Sequence, residues 1–227
     1  MDVFLIPTTS PDQYEIYYEA PETDDPLGEP VGRGIVQRVR QRFSEMLREA
    51  EEWRRKRHAG EETPPAGLIA RGRRRVMGFV VERIAEQRLL WHLRKATCVC
   101  AQIPTDMSED QADGVIRAIL KKDLDHHFRW IWIDLALLIL SAPLMLIPGP
   151  NVPGFYFTFQ VVGHFLSYRG ARHGLSEVQW TIRQNSALTE LRGLLADSAP
   201  HRMRRVHELA ARLRLQHLAT YFEQVAS

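Results

Sequence analysis

The sequence predicts an α+β fold, mainly helical, and three observations carry that reading. Short runs of period-2 alternation lie near the N-terminus and at 97–103, helical spacing fills the middle and the end, and a nearly uncharged apolar block occupies 130–168. The expected architecture is a small N-terminal β-sheet packed with amphipathic helices, plus an apolar helical hairpin inserted in a membrane. Three regions follow from it. Residues 1–129 form a cytoplasmic α+β part with basic helices, 130–168 the hairpin, and 169–227 a C-terminal helical part.

Val3–Pro7 and Tyr14–Glu19 read as strands, because Tyr14, Ile16 and Tyr18 alternate with Glu15 and Glu19. Prolines and glycines through 20–33 mark a loop. Ile35, Val39, Phe43, Met46 and Ala50 then recur at helical spacing up to about Trp53, and 61–65 breaks that helix. A second helix is expected over 68–95, followed by a strand over Thr97–Ile103. Ser108 and Gln111 form a capping box for a third helix. His126, His127 and Arg129 suit the negative C-terminal end of its dipole, so the helix is expected to stop there. Ser198 is a candidate cap for a final helix in which Met203, Val206, Leu213 and Phe222 recur.

Charge is segregated along the chain. Residues 1–32 hold eight acids and no Lys or Arg, 33–97 hold 17 basic against eight acidic groups, and the whole chain is near neutral at +2. The basic middle carries Arg71, Arg73, Arg74 and Arg75. Poor aromatic interleaving there argues against nucleic acid, whereas basic segments beside apolar ones meet anionic lipid headgroups. With Arg169 and Arg172 these four are the headgroup candidates, and membrane lipids are an expected partner. Only Cys98 and Cys100 occur, so there is no disulfide framework and a reducing compartment is expected. The start of the chain reads neither as a signal peptide nor as a transit peptide.

Trp130–Pro148 and Val152–Tyr168 would measure about 28 and 25 Å as helices, against a hydrocarbon core of about 30 Å. Trp130, Trp132 and Tyr168 stand at their edges, where interfacial anchors belong. Pro148, Gly149, Pro150 and Asn151 make a short uncharged turn, which implies an antiparallel hairpin with both termini on one side. The basic flanks place that side in the cytoplasm, at a cytoplasmic (inner) membrane. Asp134 is the one formal charge inside the two segments, and antiparallel pairing brings His164 to its depth. A carboxylate there costs roughly 2.5–3.5 kcal/mol on insertion scales. Asp134 and His164 are therefore the candidates for an ion or proton pathway, or for a bond that pins the two helices.

Other chemistry is sparse. The i, i+2 spacing of Cys98 and Cys100 is accounted for by a buried strand, without a metal. Asp123, His126 and His127 have metal-compatible spacing but no fourth ligand, and a solvated helix end explains them better. Neither a Gly-rich phosphate loop nor a nucleophile elbow is present. No metal, cofactor or catalytic residue is nominated, and the chain does not read as an enzyme.

Asp-Val-Phe-Leu-Ile-Pro at the start, the basic helical middle, Leu-Ile-Pro-Gly-Pro-Asn-Val-Pro-Gly-Phe-Tyr and Tyr-Arg-Gly-Ala-Arg-His-Gly-Leu stand in order along the chain. Together they resemble the mitochondrial K+/H+ exchange-related family over roughly 1–175, most specifically over 147–174. The resemblance implies a membrane protein linked to potassium–proton exchange or cation–proton homeostasis, as exchanger component or accessory. Two helices cannot enclose an ion path, so a homo-oligomer or a partner membrane protein is expected. The alternatives are a membrane-anchored scaffold or assembly factor that binds a partner protein, and a soluble helical binding module.

Overall fold

A computed structural model describes residues 1–8, 13–19, 88–141, 143, 152–196 and 199–225. Its elements are β1 (Asp2–Pro7), β2 (Tyr14–Tyr17), β3 (Cys98–Ile103), α1 (Glu109–Ser141), α2 (Val152–Ser176), β4 (Gln179–Gln184), α3 (Ser186–Gly193), α4 (Ala199–Leu213) and α5 (Leu218–Val225). Residues 88–93 are also helical. The helix expected over 35–53, most of the one over 68–95, Arg71, Arg73, Arg74, Arg75, the turn Pro148–Gly149–Pro150–Asn151 and the cap Ser198 lie outside the described residues.

Alternation along β1 sets the layers. Val3 and Leu5 point to one face of the sheet and Phe4 and Ile6 to the other, and all four are buried. Val3 and Leu5 pack with Val99, Ala101 and Ile103 of β3 against Leu90, Leu93, Ile116, Leu120 and Ala171. Phe4, Ile6 and Tyr17 pack against Leu188, Leu191, Val206, Leu218 and Phe222 of the C-terminal helices. The strand order is β2-β1-β3-β4, and β1 is covered on both faces. β1 and β2 are antiparallel, with Phe4 opposite Tyr17. β3 runs parallel to both neighbours, with Ala101 opposite Val3 and opposite Ile182. A parallel β3–β4 pair needs a long crossover, and the α1–α2 hairpin supplies it.

Local chemistry fixes the joints. The Ser108 amide donates to Gln111 Oε1 at 3.1 Å and the Gln111 amide to Ser108 Oγ at 3.3 Å, closing the capping box. Asn185 ends β4 and caps α3 by accepting from the Ala187 amide at 3.0 Å. Arg214 has φ 57°, a left-handed turn that lets the Leu215 amide reach the Ala210 carbonyl at 2.9 Å and stops α4. Gly170 of α2 lies against the helical residues 88–93, where a Cβ would collide with the Leu90 carbonyl. Close by, Trp91 Nε1 donates to Ser167 Oγ at 3.0 Å.

Several expectations are corrected here. β4 was not anticipated. Cys98 and Cys100 do share one face of β3, but it is the open face: Cys98 is exposed, and Val99 between them is the buried residue. The helix opened by Ser108 does not stop at His126–Arg129 but continues to Ser141. Nor does the second apolar segment stop at Tyr168, since α2 runs on to Ser176. The largest correction concerns the membrane hairpin: no described helix is long and apolar enough to cross a membrane. The first half of α1 is charged and lies on the sheet, and its apolar part within the described helix, 130–141, would span about 18 Å, well short of a hydrocarbon core. α2 buries Gln160, His164 and Ser167 in the stretch that was to be its span.

Candidate functional site

The polarity of α1 changes along its length. Its residues buried toward the sheet are Ala112, Ile116 and Leu120, and those buried farther out are His127, Asp134 and Ser141. The last three recur every seven residues, so they line one stripe of the helix. α2 meets that stripe with buried Phe159, Gln160, His164, Leu166 and Ser167. The opposite surfaces are apolar. Phe128, Trp132, Ile139, Leu140 and Phe165 are all exposed, Leu140 at 75% and Trp132 at 60%. The outer half of the hairpin is therefore polar within and apolar without.

His127 Nδ1 and His164 Nδ1 lie 2.7 Å apart, and His164 Nε2 lies 3.4 Å from Asp134 Oδ2. The three side chains are 6%, 1% and 3% exposed. The carboxylate contact is an ion-pair distance, longer than the roughly 2.7–2.9 Å of a short charge-assisted hydrogen bond. Trp130 stacks on His164, with centroids 6.1 Å apart and planes 17° apart. His126 lies beside the pair, its ring centroid 5.3 Å from that of His127 and 6.4 Å from that of His164. One turn toward the sheet, Asp123 sits on the same face of α1. Burial pushes its carboxyl up to about 6, Lys122 opposes that shift and Glu15 of β2 adds to it.

The structure thus brings Asp134 and His164 together and adds His127, which the sequence reading had assigned to a solvated helix end. The seven-residue spacing of His127, Asp134 and Ser141 is the signal that could have found it. Arg169 and Arg172 are exposed on α2. No group of three or more His, Cys, Asp or Glu among the described residues is arranged to hold a metal ion. The short Nδ1···Nδ1 contact agrees, since a zinc bound by both nitrogens at about 2.0–2.1 Å would hold them farther apart. The arrangement is a hydrogen-bonded pair of imidazoles beside a carboxylate, all three buried.

A family model described as mitochondrial K+-H+ exchange-related matches residues 71–177. Over this segment, a little under half of its length, the chain is similar to that family. The match takes in β3 and the whole α1–α2 hairpin, His127, Asp134 and His164 included. It ends close to the expected 175 but starts well after the N-terminal strand that had been counted within it. The chain is also similar to a yeast sequence. Uncharacterized protein YDL183C of Saccharomyces cerevisiae is 34% identical over 91 residues, 40% of this chain and 28% of the yeast protein. The matched stretch thus spans less than a third of that relative's length. No solved structure matches the chain.

Proposed function

We propose that this protein is an accessory component of potassium–proton exchange, which docks the outer half of its α1–α2 hairpin on the membrane protein that carries the ions. The observation behind this reading is the inverted polarity of that half-hairpin. Its polar groups are paired between two helices, and Phe128, Trp132, Ile139, Leu140 and Phe165 are turned outward. Contiguous exposed apolar surface marks an interaction site. The family description supplies the link to potassium–proton exchange. An accessory role fits better than a carrier role, because among the described residues His127, Asp134 and His164 sit in the contact between α1 and α2. That contact can hold a proton but does not enclose a route for a cation.

The test is potassium-dependent proton flux in membrane vesicles from cells lacking the chain, with wild-type or variant protein restored. Wild type should restore the flux, and Trp132→Asp with Leu140→Asp should not, although both exposed sites tolerate the change in the folded chain. Flux that is unaltered by removing the protein overturns the reading.

A further inference from the structure

We propose that His127, His164 and Asp134 form a buried proton-binding site that takes up one proton, not two, and shares it between the imidazoles. The site is a property of the protein alone and does not depend on the exchange role.

The stoichiometry follows from geometry. At 2.7 Å a single hydrogen must lie between the two Nδ1 atoms, so one ring donates and the other accepts. His164 Nε2 faces the Asp134 carboxylate at 3.4 Å, so in the neutral pair that nitrogen carries a hydrogen. His164 Nδ1 is then the acceptor, and His127 is the Nδ1–H tautomer. A proton added at His127 Nε2 lets the Nδ1 hydrogen of His127 cross to His164 Nδ1. His164 becomes the imidazolium beside Asp134, and His127 is left neutral with its hydrogen on Nε2. The positive charge thus moves from the first ring to the second while the carboxylate balances it. A second added proton would put hydrogens on both Nδ1 atoms facing each other, which the 2.7 Å separation forbids. The pair therefore titrates as one unit with one macroscopic step.

The neighbours are consistent with a buried cation shared this way. Trp130 presents its face to His164 at 6.1 Å, a cation–π contact once that ring is charged. His126 of α1 is half-buried and borders both rings, which places it between solvent and the pair. Asp123, with Lys122 and Glu15 around it, is the next titratable group on the same face. From 130 to 168 the sequence offers no other acid or base besides tyrosines.

The experiment is a pH titration of the full chain, labelled with nitrogen-15 in its histidines, reading the tautomer and charge of each ring by long-range proton–nitrogen correlation. His127 and His164 should share one midpoint, and their summed uptake should be one proton. Asp134→Asn should move that midpoint to lower pH by roughly one unit or more, as the loss of an adjacent opposite charge requires. His126→Gln should leave the summed uptake at one proton. Two independent midpoints with a full proton on each ring overturn the proposal, as does an unmoved midpoint in a folded Asp134→Asn chain. Were that variant unfolded, the wild-type stoichiometry alone decides. None of these readings involves ion flux, so failure of the exchange role and failure of the proton site are separable.

Discussion

The two halves of the α1–α2 hairpin follow opposite packing rules. Near the sheet, Ala112, Ile116 and Leu120 are buried with Leu90, Leu93 and Ala171, and the charged positions of α1 face out. Farther out, His127, Asp134 and Ser141 are buried and the exposed positions are Phe, Trp, Ile and Leu. One continuous helix carries both patterns, so the reversal comes from what each half packs against. The inner half shares a core with the sheet, where apolar burial contributes about 25 cal/mol per Å². Among the described residues the outer half packs against α2, and its buried polar groups are ones that must be matched by hydrogen bonds or charge. The inner half is built for stability. The outer half buries polar groups at a cost in stability.

The largest expected effect tests the inner half. Leu120 is fully buried and its methyl groups lie where a Cβ on Gly174 of α2 would meet them. Leu120→Ala should lower the unfolding free energy by about 3 kcal/mol, read from the urea midpoint. A loss of well under 1 kcal/mol would mean that the sheet and hairpin do not share one core.

A smaller effect tests the junction between the halves, where Asp123 faces Glu15. Its folded carboxyl is pushed up to about 6, mainly by burial, against about 3.9 in the unfolded chain. Between those values the folded state binds the extra proton, so this group's contribution falls as pH rises from roughly 4 to 6 and stays low above that. Asp123→Asn should therefore raise stability at pH 7 by about 2 kcal/mol and change nothing at pH 4. Equal effects at both values would assign the change to packing rather than to ionisation.

Much of the inner architecture was legible in the sequence. β1 and β3 announced themselves by alternation, and Ser108 with Gln111 by a cap spacing that the structure closes with two hydrogen bonds. β4 does alternate, but its apolar face is only Trp180 and Ile182, too short a signal at the edge of a sheet. His126, His127 and Arg129 imitate a helix C-terminus because they fall where α1 leaves the sheet, and the helix runs on since α2 still covers it. The apolar block misled for a different reason. Hydropathy averages over a helix, and Asp134, Gln160, His164 and Ser167 register as dilution when they are in fact one face. Proximity of Asp134 and His164 could be read from antiparallel pairing. The third member, His127, required the true helix end.

The smallest expected change gives the sharpest test of the comparison, because it gives the outer half the chemistry of the inner half. Replacing His127, Asp134 and His164 together by Leu substitutes an apolar seam of similar volume for a buried charged one. Such exchanges are often neutral or stabilising, since matched burial of charge repays its desolvation poorly. The triple variant should match wild type within about 1 kcal/mol, or exceed it, while taking up no proton at the hairpin. His164→Leu alone should be worse than the triple, because it leaves Asp134 and His127 buried without the ring that joins them, and an unmatched buried polar group costs about 1–3 kcal/mol. Urea unfolding of the two variants at pH 7 separates the possibilities. If the triple variant loses several kcal/mol, the polar seam is itself what holds the outer helices together, and the division between a stabilising half and a chemical half fails. If instead the single change costs more than all three together, the histidines and the carboxylate are retained against a more stable apolar alternative, which is the expected mark of a site kept for what it binds.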